Sequence, residues 1–226
     1  MNVLLFGATG MVGDAVLHEC LADARVASVL AITRSPIVVR HPKLRERRRD
    51  DFFAYDDLAA ELATIDACFF CLGVSAVGMT EAAYHRQTFD LALAAARALA
   101  AARSGATFCY VSGQGTDSSE RGRMMWARVK GKTENAILTL QLDAYMFRPG
   151  FIRPRPGGVA PKAWYGALYP LARVLYPLLH AVAPGQMTTA ENMGRAMIAA
   201  AAIGYPKRLL ENADIDALAA SLPREP

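Results

Sequence analysis

Two short stretches hold residues whose types and spacing could do chemistry. The first is GATGMVG, residues 7–13, directly after the apolar run NVLLF. Gly7 permits a tight turn, Gly10 lets backbone N–H groups approach a pyrophosphate, and Gly13 allows a helix to pack closely on a strand. Strand–turn–helix context separates a dinucleotide loop from a chance glycine triplet. Gly7, Thr9, Gly10, Met11, Val12 and Gly13 are therefore candidate cofactor contacts. The second stretch is MMWARVKGK, residues 124–132. Trp126 and Lys130 stand four apart, which on a helix puts an indole and an ammonium on one face.

The kind of dinucleotide is argued from the end of the second apolar run, AITRSP. An NAD site usually carries an acid there to hold the ribose hydroxyls. Here Arg34 occupies the place, followed by Ser35. A guanidinium suits a 2′-phosphate, whereas a carboxylate would repel one. NADP(H) is expected over NAD(H), unless Arg34 is only a solvated strand end. The basic run KLRERRR (43–49) could add field strength near that phosphate, but a solvated edge is the simpler reading. Without interleaved aromatics it is no nucleic-acid patch.

The elements that must position these residues alternate in type. Strands are expected at 2–7, 26–34, 65–73, 106–113 and 144–152. Helices are expected from 10 onward, at 56–63, along the Ala-rich stretch 80–105 and at 124–141. Strands separated by helical crossovers predict an α/β doubly wound parallel sheet, the NAD(P)-binding Rossmann fold. Residues 1–152 would form that core. Residues 153–226, Pro/Gly-rich and then helical, would form a small C-terminal cap on the substrate side of the same domain. The near-repeat LYPLARV–LYPLLHA, with prolines at 170, 177 and 184, is read as one broken apolar helix.

Composition sets outer bounds. With 226 residues and 53% hydrophobic side chains the chain can bury a large core. A net charge of +4 suits an anionic small ligand and is too modest for nucleic acid. Cys68 and Cys71 form a CxxC without a second ligand pair, so buried thiols in a reducing compartment are expected and no metal site. The longest apolar region, 163–184, is interrupted by Pro170, Arg173, Pro177 and His180. No membrane span and no leader are therefore expected, and a cytoplasmic location is.

With GATGMVG, Asp51-Phe52, CLG (71–73), YVSG (110–113), Lys130 and FRPG (147–150), the chain resembles the atypical and extended short-chain dehydrogenase/reductases. It is most similar to NAD-dependent epimerase-like and TIP-thirty-type oxidoreductases. The resemblance implies that Asp51 and Phe52 lie near the adenine, and Leu72 and Gly73 near the nicotinamide-side ribose. It further implies that Ser112 hydrogen-bonds a substrate carbonyl and Lys130 binds the ribose. Pro149 and Gly150 would border the carboxamide. It also implies a homodimer pairing through two long helices, for which 80–103 and 124–141 are the candidates.

One departure matters. The family's YxxxK tyrosine, which exchanges the proton at the reacting oxygen, is replaced here by Trp126. An indole N–H only donates and does not ionise usefully. Tyr110, which shares a strand face with Ser112, is an alternative donor, as are Asp117, Glu120, His85 or a water relayed through Ser112. Three functions stay open. They are an NADP(H)-dependent reductase or epimerase acting on an unknown small carbonyl or hydroxyl substrate, a non-catalytic NADP(H)-binding sensor, and a subunit using the cofactor structurally. Substrate contacts would come from about 153–190, where Arg153, Arg155, Lys162 and Trp164 are candidates.

Overall fold

Alternate residues of the first strand go to opposite faces of a sheet, and after Asn2 all of them are apolar. In the computed structural model, which describes residues 1–159 and 187–223, β1 (Asn2–Phe6) sends Val3 and Leu5 to one core. It sends Leu4 and Phe6 to the other. Such a strand is covered on both sides, as in a parallel α/β sheet. β2 (Ser28–Thr33), β4 (Ala67–Phe70), β5 (Thr107–Val111) and β6 (Asp143–Arg148) repeat the pattern.

Among the described residues the main sheet has seven strands in the order β3-β2-β1-β4-β5-β6-β9, where β3 is Leu44–Arg48 and β9 is Leu209–Glu211, and each pairing along it is parallel. On one face lie α1 (Met11–Ala22), α6 (Ala190–Ile203) and α7 (Asn212–Ser221). On the other lie α2 (Ala59–Leu62), α4 (Leu91–Ala102) and α5 (Met125–Leu138). The doubly wound parallel α/β fold expected from the sequence is the fold observed. A separate two-stranded parallel sheet joins β7 (Phe151–Arg153) to β8 (Met187–Thr189).

Four details differ from the sequence expectations. The basic run forms β3 (Leu44–Arg48), an edge strand on which Arg45, Arg47 and Arg48 are exposed. The long Ala-rich helix is not uniform: α3 (Glu81–His85) passes through a π turn (Arg86–Asp90) before α4. The last expected strand splits at Pro149 and Gly150 into β6 and β7, because proline cannot continue a ladder. The sheet does not close there, since β9 (Leu209–Glu211) adds beside β6.

Residues 187–223 bury Met193, Met197, Ile198, Leu210, Ile215 and Leu218 in the same core as α1. At Gly194 a Cβ would come within 2.9 Å of the Glu19 side chain and 3.1 Å of the Val16 Cα, so α1 and α6 cross at backbone contact. These residues belong to the sheet domain itself. Of the expected substrate-side cap, 153–226, the stretch 160–186 with the proline repeat, Lys162 and Trp164 lies outside the described residues.

Candidate active site

The glycine loop joins β1 to α1 at the C-terminal edge of the sheet. Gly7 has φ +82°, and a Cβ there would lie 2.7 Å from the carbonyl oxygen of Cys71, just past the end of β4. A Cβ on Gly13 would lie 2.0 Å from the Gly7 oxygen, so α1 can dock only on a residue without a side chain. Gly10 caps α1 with no side-chain hydrogen bond, and Thr9 and Gly10 are exposed, while Met11 and Val12 are half-buried. An uncapped helix start offers its N–H groups and positive dipole end to an anion. β1 and β4 are neighbours where the strand order reverses, which is where open α/β sheets place ligands. These residues fit a dinucleotide pyrophosphate.

Around this loop the expected adenine-side residues separate. Arg34 and Ser35 follow β2 directly and are exposed. Asp51 is exposed, with its carboxylate accepting from the Phe53 N–H at 2.7 Å. The Phe52 side chain turns into the core instead, 6.3 Å from Phe6 centroid to centroid. Only its backbone remains for an adenine ring. Leu72 is half-buried, and Gly73 is exposed with nothing within 4 Å of where a Cβ would stand. Pro149 and Gly150 follow β6, with Gly150 N–H donating to Asn212 Oδ1 at 3.1 Å.

The second half of the site is built on α5. Its helix docks against the loop after β5 through Gly131, where a Cβ would come 1.8 Å from the Asp117 carbonyl oxygen. Trp126 and Lys130 do lie on one helix and are both half-buried. The indole lies over Gly115, whose Cβ position is 3.5 Å from the ring. The Lys130 ammonium donates to the Ser112 carbonyl oxygen. Burial pulls its pKa down to about 8, with Glu134 one turn on acting to raise it.

Ser112 is turned inward. Its hydroxyl donates toward Glu134 Oε1 at 2.5 Å, with the Phe147 carbonyl 3.1 Å away, and the residue is buried. Glu134 is fully buried and paired with Arg148, which also donates to Ser118 Oγ at 2.5 Å and lies 3.8 Å from Glu211. Sequence reasoning missed this network. Its only signal was Glu134 four residues after Lys130, which reads equally as a solvated helix charge.

The alternative proton donors are occupied elsewhere. Tyr110 is 1% exposed, and burial pushes its hydroxyl well above the usual range. The Asp117 carboxylate accepts from Ser119, Arg121 and Gly122, and the Ser119 hydroxyl above all holds its pKa low. Glu120 accepts from Asn135 at 2.7 Å, and His85 pairs with Asp90 at 3.4 Å. Arg155, a candidate substrate contact, bonds Asp14 at 3.2 Å and approaches His18 at 3.3 Å on α1. Cys20, Cys68 and Cys109 are buried free thiols; Cys71 is half-buried, and burial raises its pKa to about 12. Among the described residues no cluster of His, Cys, Asp or Glu could hold a metal ion, and no helix is long and apolar enough to cross a membrane.

No protein-family model matches the sequence. A curated relative does: "Protein fmp52-2, mitochondrial" of Aspergillus oryzae is 30% identical over 225 residues, covering 93% of each chain. This chain belongs to the fmp52 family. Solved structures extend the comparison of this fmp52-family chain to its fold. MoeE5 in complex with UDP-glucose and NAD superposes with a TM-score of 0.66 at 18% identity, covering 97% of this chain and 81% of that one. UDP-N-acetylglucosamine 4-epimerase from Bacillus cereus gives 0.64 at 14% identity, covering 96% and 82%. The fmp52-family chain has the fold of the NAD-binding short-chain dehydrogenase/reductase and epimerase-like proteins.

Proposed function

We propose that the protein is a nicotinamide-dinucleotide-dependent oxidoreductase or epimerase acting on a small carbonyl or hydroxyl compound. The observation that carries this is the contact of Gly7 with the Cys71 carbonyl. It sets an uncapped helix start at the reversal of strand order, with Lys130 at the same sheet edge. When bound, the dinucleotide supplies or accepts a hydride. The chain's own part is to bind and orient. The loop of Gly7–Gly13 would hold the pyrophosphate, Leu72 and Gly73 the ribose, and Pro149 and Gly150 the carboxamide. Lys130 would reach the ribose hydroxyls, and Trp126 would cover the ring or orient a carbonyl.

NADP(H) is preferred in this reading, because exposed Arg34 stands where an acid would exclude a 2′-phosphate. MoeE5 was solved with NAD, so cofactor choice is a direct test. Titration of tryptophan fluorescence with NADPH and NADH should give tighter binding of NADPH; equal affinities would remove the Arg34 argument. A panel of aldehydes and ketones, followed by NADPH absorbance, tests turnover.

A second reading is favoured by one observation: Trp126 lacks an ionisable proton and the Ser112 hydrogen points to Glu134. In it, the protein binds NADP(H) without turnover and acts as a redox sensor. Trp126→Tyr separates the two readings. If wild-type turnover is present and rises in the variant, the site is catalytic. NADPH binding without turnover in either protein supports the sensor.

A further inference from the structure

We propose that the Lys130 ammonium itself delivers the proton to the substrate's carbonyl oxygen, so that position 130 rather than 126 is the acid of α5. This rests on the oxidoreductase reading above and assigns the group that reading leaves unfilled. In the reductive direction one N–H bond of Lys130 breaks and one O–H bond forms on the substrate oxygen. The carbonyl carbon takes a hydride, with its two electrons, from a reduced nicotinamide dinucleotide. Water then reprotonates the amine.

The geometry favours Lys130 over every other described candidate. An ammonium has three donors, and the Ser112 carbonyl takes one of them. Gly113 leaves the space beside it open: a Cβ there would stand 3.8 Å from Nζ and 3.9 Å from the Pro149 oxygen. The ammonium thus stands at the C-terminal ends of the hydrogen-bonded strands β5 and β6, and among the described residues only the Ser112 carbonyl accepts from it. Trp126 cannot exchange a proton, and the Ser112 hydrogen is directed to buried Glu134. Tyr110, Asp117, Glu120 and His85 are held as described above.

The electrostatics agree. On its own helix Lys130 is faced by Glu134, whose charge is taken up by Arg148 from β6. Tyr110 on β5 and Tyr84 on α3, from elements packed near α5, stay neutral because burial raises both. In the helix packed against α5, His85 and Asp90 pair with each other. Burial therefore prevails, and a group pulled to about 8 is close to the acidity a general acid needs at neutral pH. The sign follows. Reduction needs the ammonium and should fade as pH rises through about 8, while oxidation needs the amine and should grow over the same range.

The test joins a titration to kinetics. NMR of protein labelled at the lysine side chains should show one lysine titrating near pH 8, missing in Lys130→Arg. Lys130→Arg keeps a cation for ribose and for the Ser112 carbonyl but holds its proton. It should bind NADPH yet lose on the order of 100-fold in kcat for carbonyl reduction, together with the alkaline limb. Aminoethylation of Lys130→Cys, which rebuilds an amine of lower pKa, should restore turnover with that limb displaced to lower pH. Lys130 titrating in the ordinary lysine range overturns the proposal, and so does an arginine variant as active as wild type. NADPH failing to bind the wild-type protein overturns the oxidoreductase reading instead. NADPH turnover insensitive to Lys130→Arg overturns the acid alone.

Discussion

The two halves of the site are made of different materials. The β1–α1 half is backbone: its specificity lies in two absent side chains, at Gly7 and Gly13, and in a helix start left uncapped. The β5–β6 half is side chain: a fully buried carboxylate, the guanidinium that neutralises it, and an ammonium one helical turn away. The first tolerates changes of charge but no added carbon. The second tolerates no lost charge. A fold can thus keep one half of a site through local geometry while the other half depends on contacts between residues far apart in sequence.

Mutations can break this contrast, and Glu134→Ala should do so most severely. It strands Arg148 in the interior without its partner, at a cost of about 3–5 kcal/mol by chemical denaturation. Replacing both residues by methionine should cost much less, because no charge is then left buried alone. Next comes the backbone half. Gly13→Ala forces an atom to 2.0 Å from a carbonyl oxygen, so it should destabilise by about 1–3 kcal/mol and abolish NADPH binding in the fluorescence titration. Gly131→Ala should cost a similar amount by moving the loop at Asp117, with dinucleotide affinity largely kept. Arg34→Ala should leave stability unchanged and weaken NADPH, not NADH, by roughly 10- to 100-fold, the worth of a charged hydrogen bond. The smallest effect belongs to the exposed edge, where Arg47→Ala breaks the Arg47–Glu61 pair for about 0.2–1 kcal/mol.

The same contrast explains what could be read from residues alone. The glycine loop was legible because turn, strand and helix are contiguous and each glycine answers a local need. The parallel sheet was legible from continuous apolar runs such as ACFF (67–70). β3 hid in a basic run because an edge strand keeps only Leu44 and Glu46 partly covered, which leaves little hydrophobic period. β9 hid because three residues make no pattern. The inward turn of Ser112 was invisible, since it depends on Glu134 lying 22 positions away and on Arg148 a further strand along. The π turn at Arg86–Asp90 left no trace in an Ala-rich stretch that favours helix of any pitch.

The crossing of α1 and α6 at Gly194 bears on how the chain comes to be made. α1 begins in the glycine loop, but the face it buries is completed by residues about 180 positions later. During synthesis β1 and β2 can cover one side of α1, but its face at Val16 and Glu19, which meets Gly194, lacks its final cover until α6 leaves the ribosome. Contacts of such separation form late, and the exposed apolar face is then a site for misassembly. The first structure encoded is therefore among the last to be secured, and a nascent chain halted before residue 190 should depend on chaperones in a way that the finished protein does not.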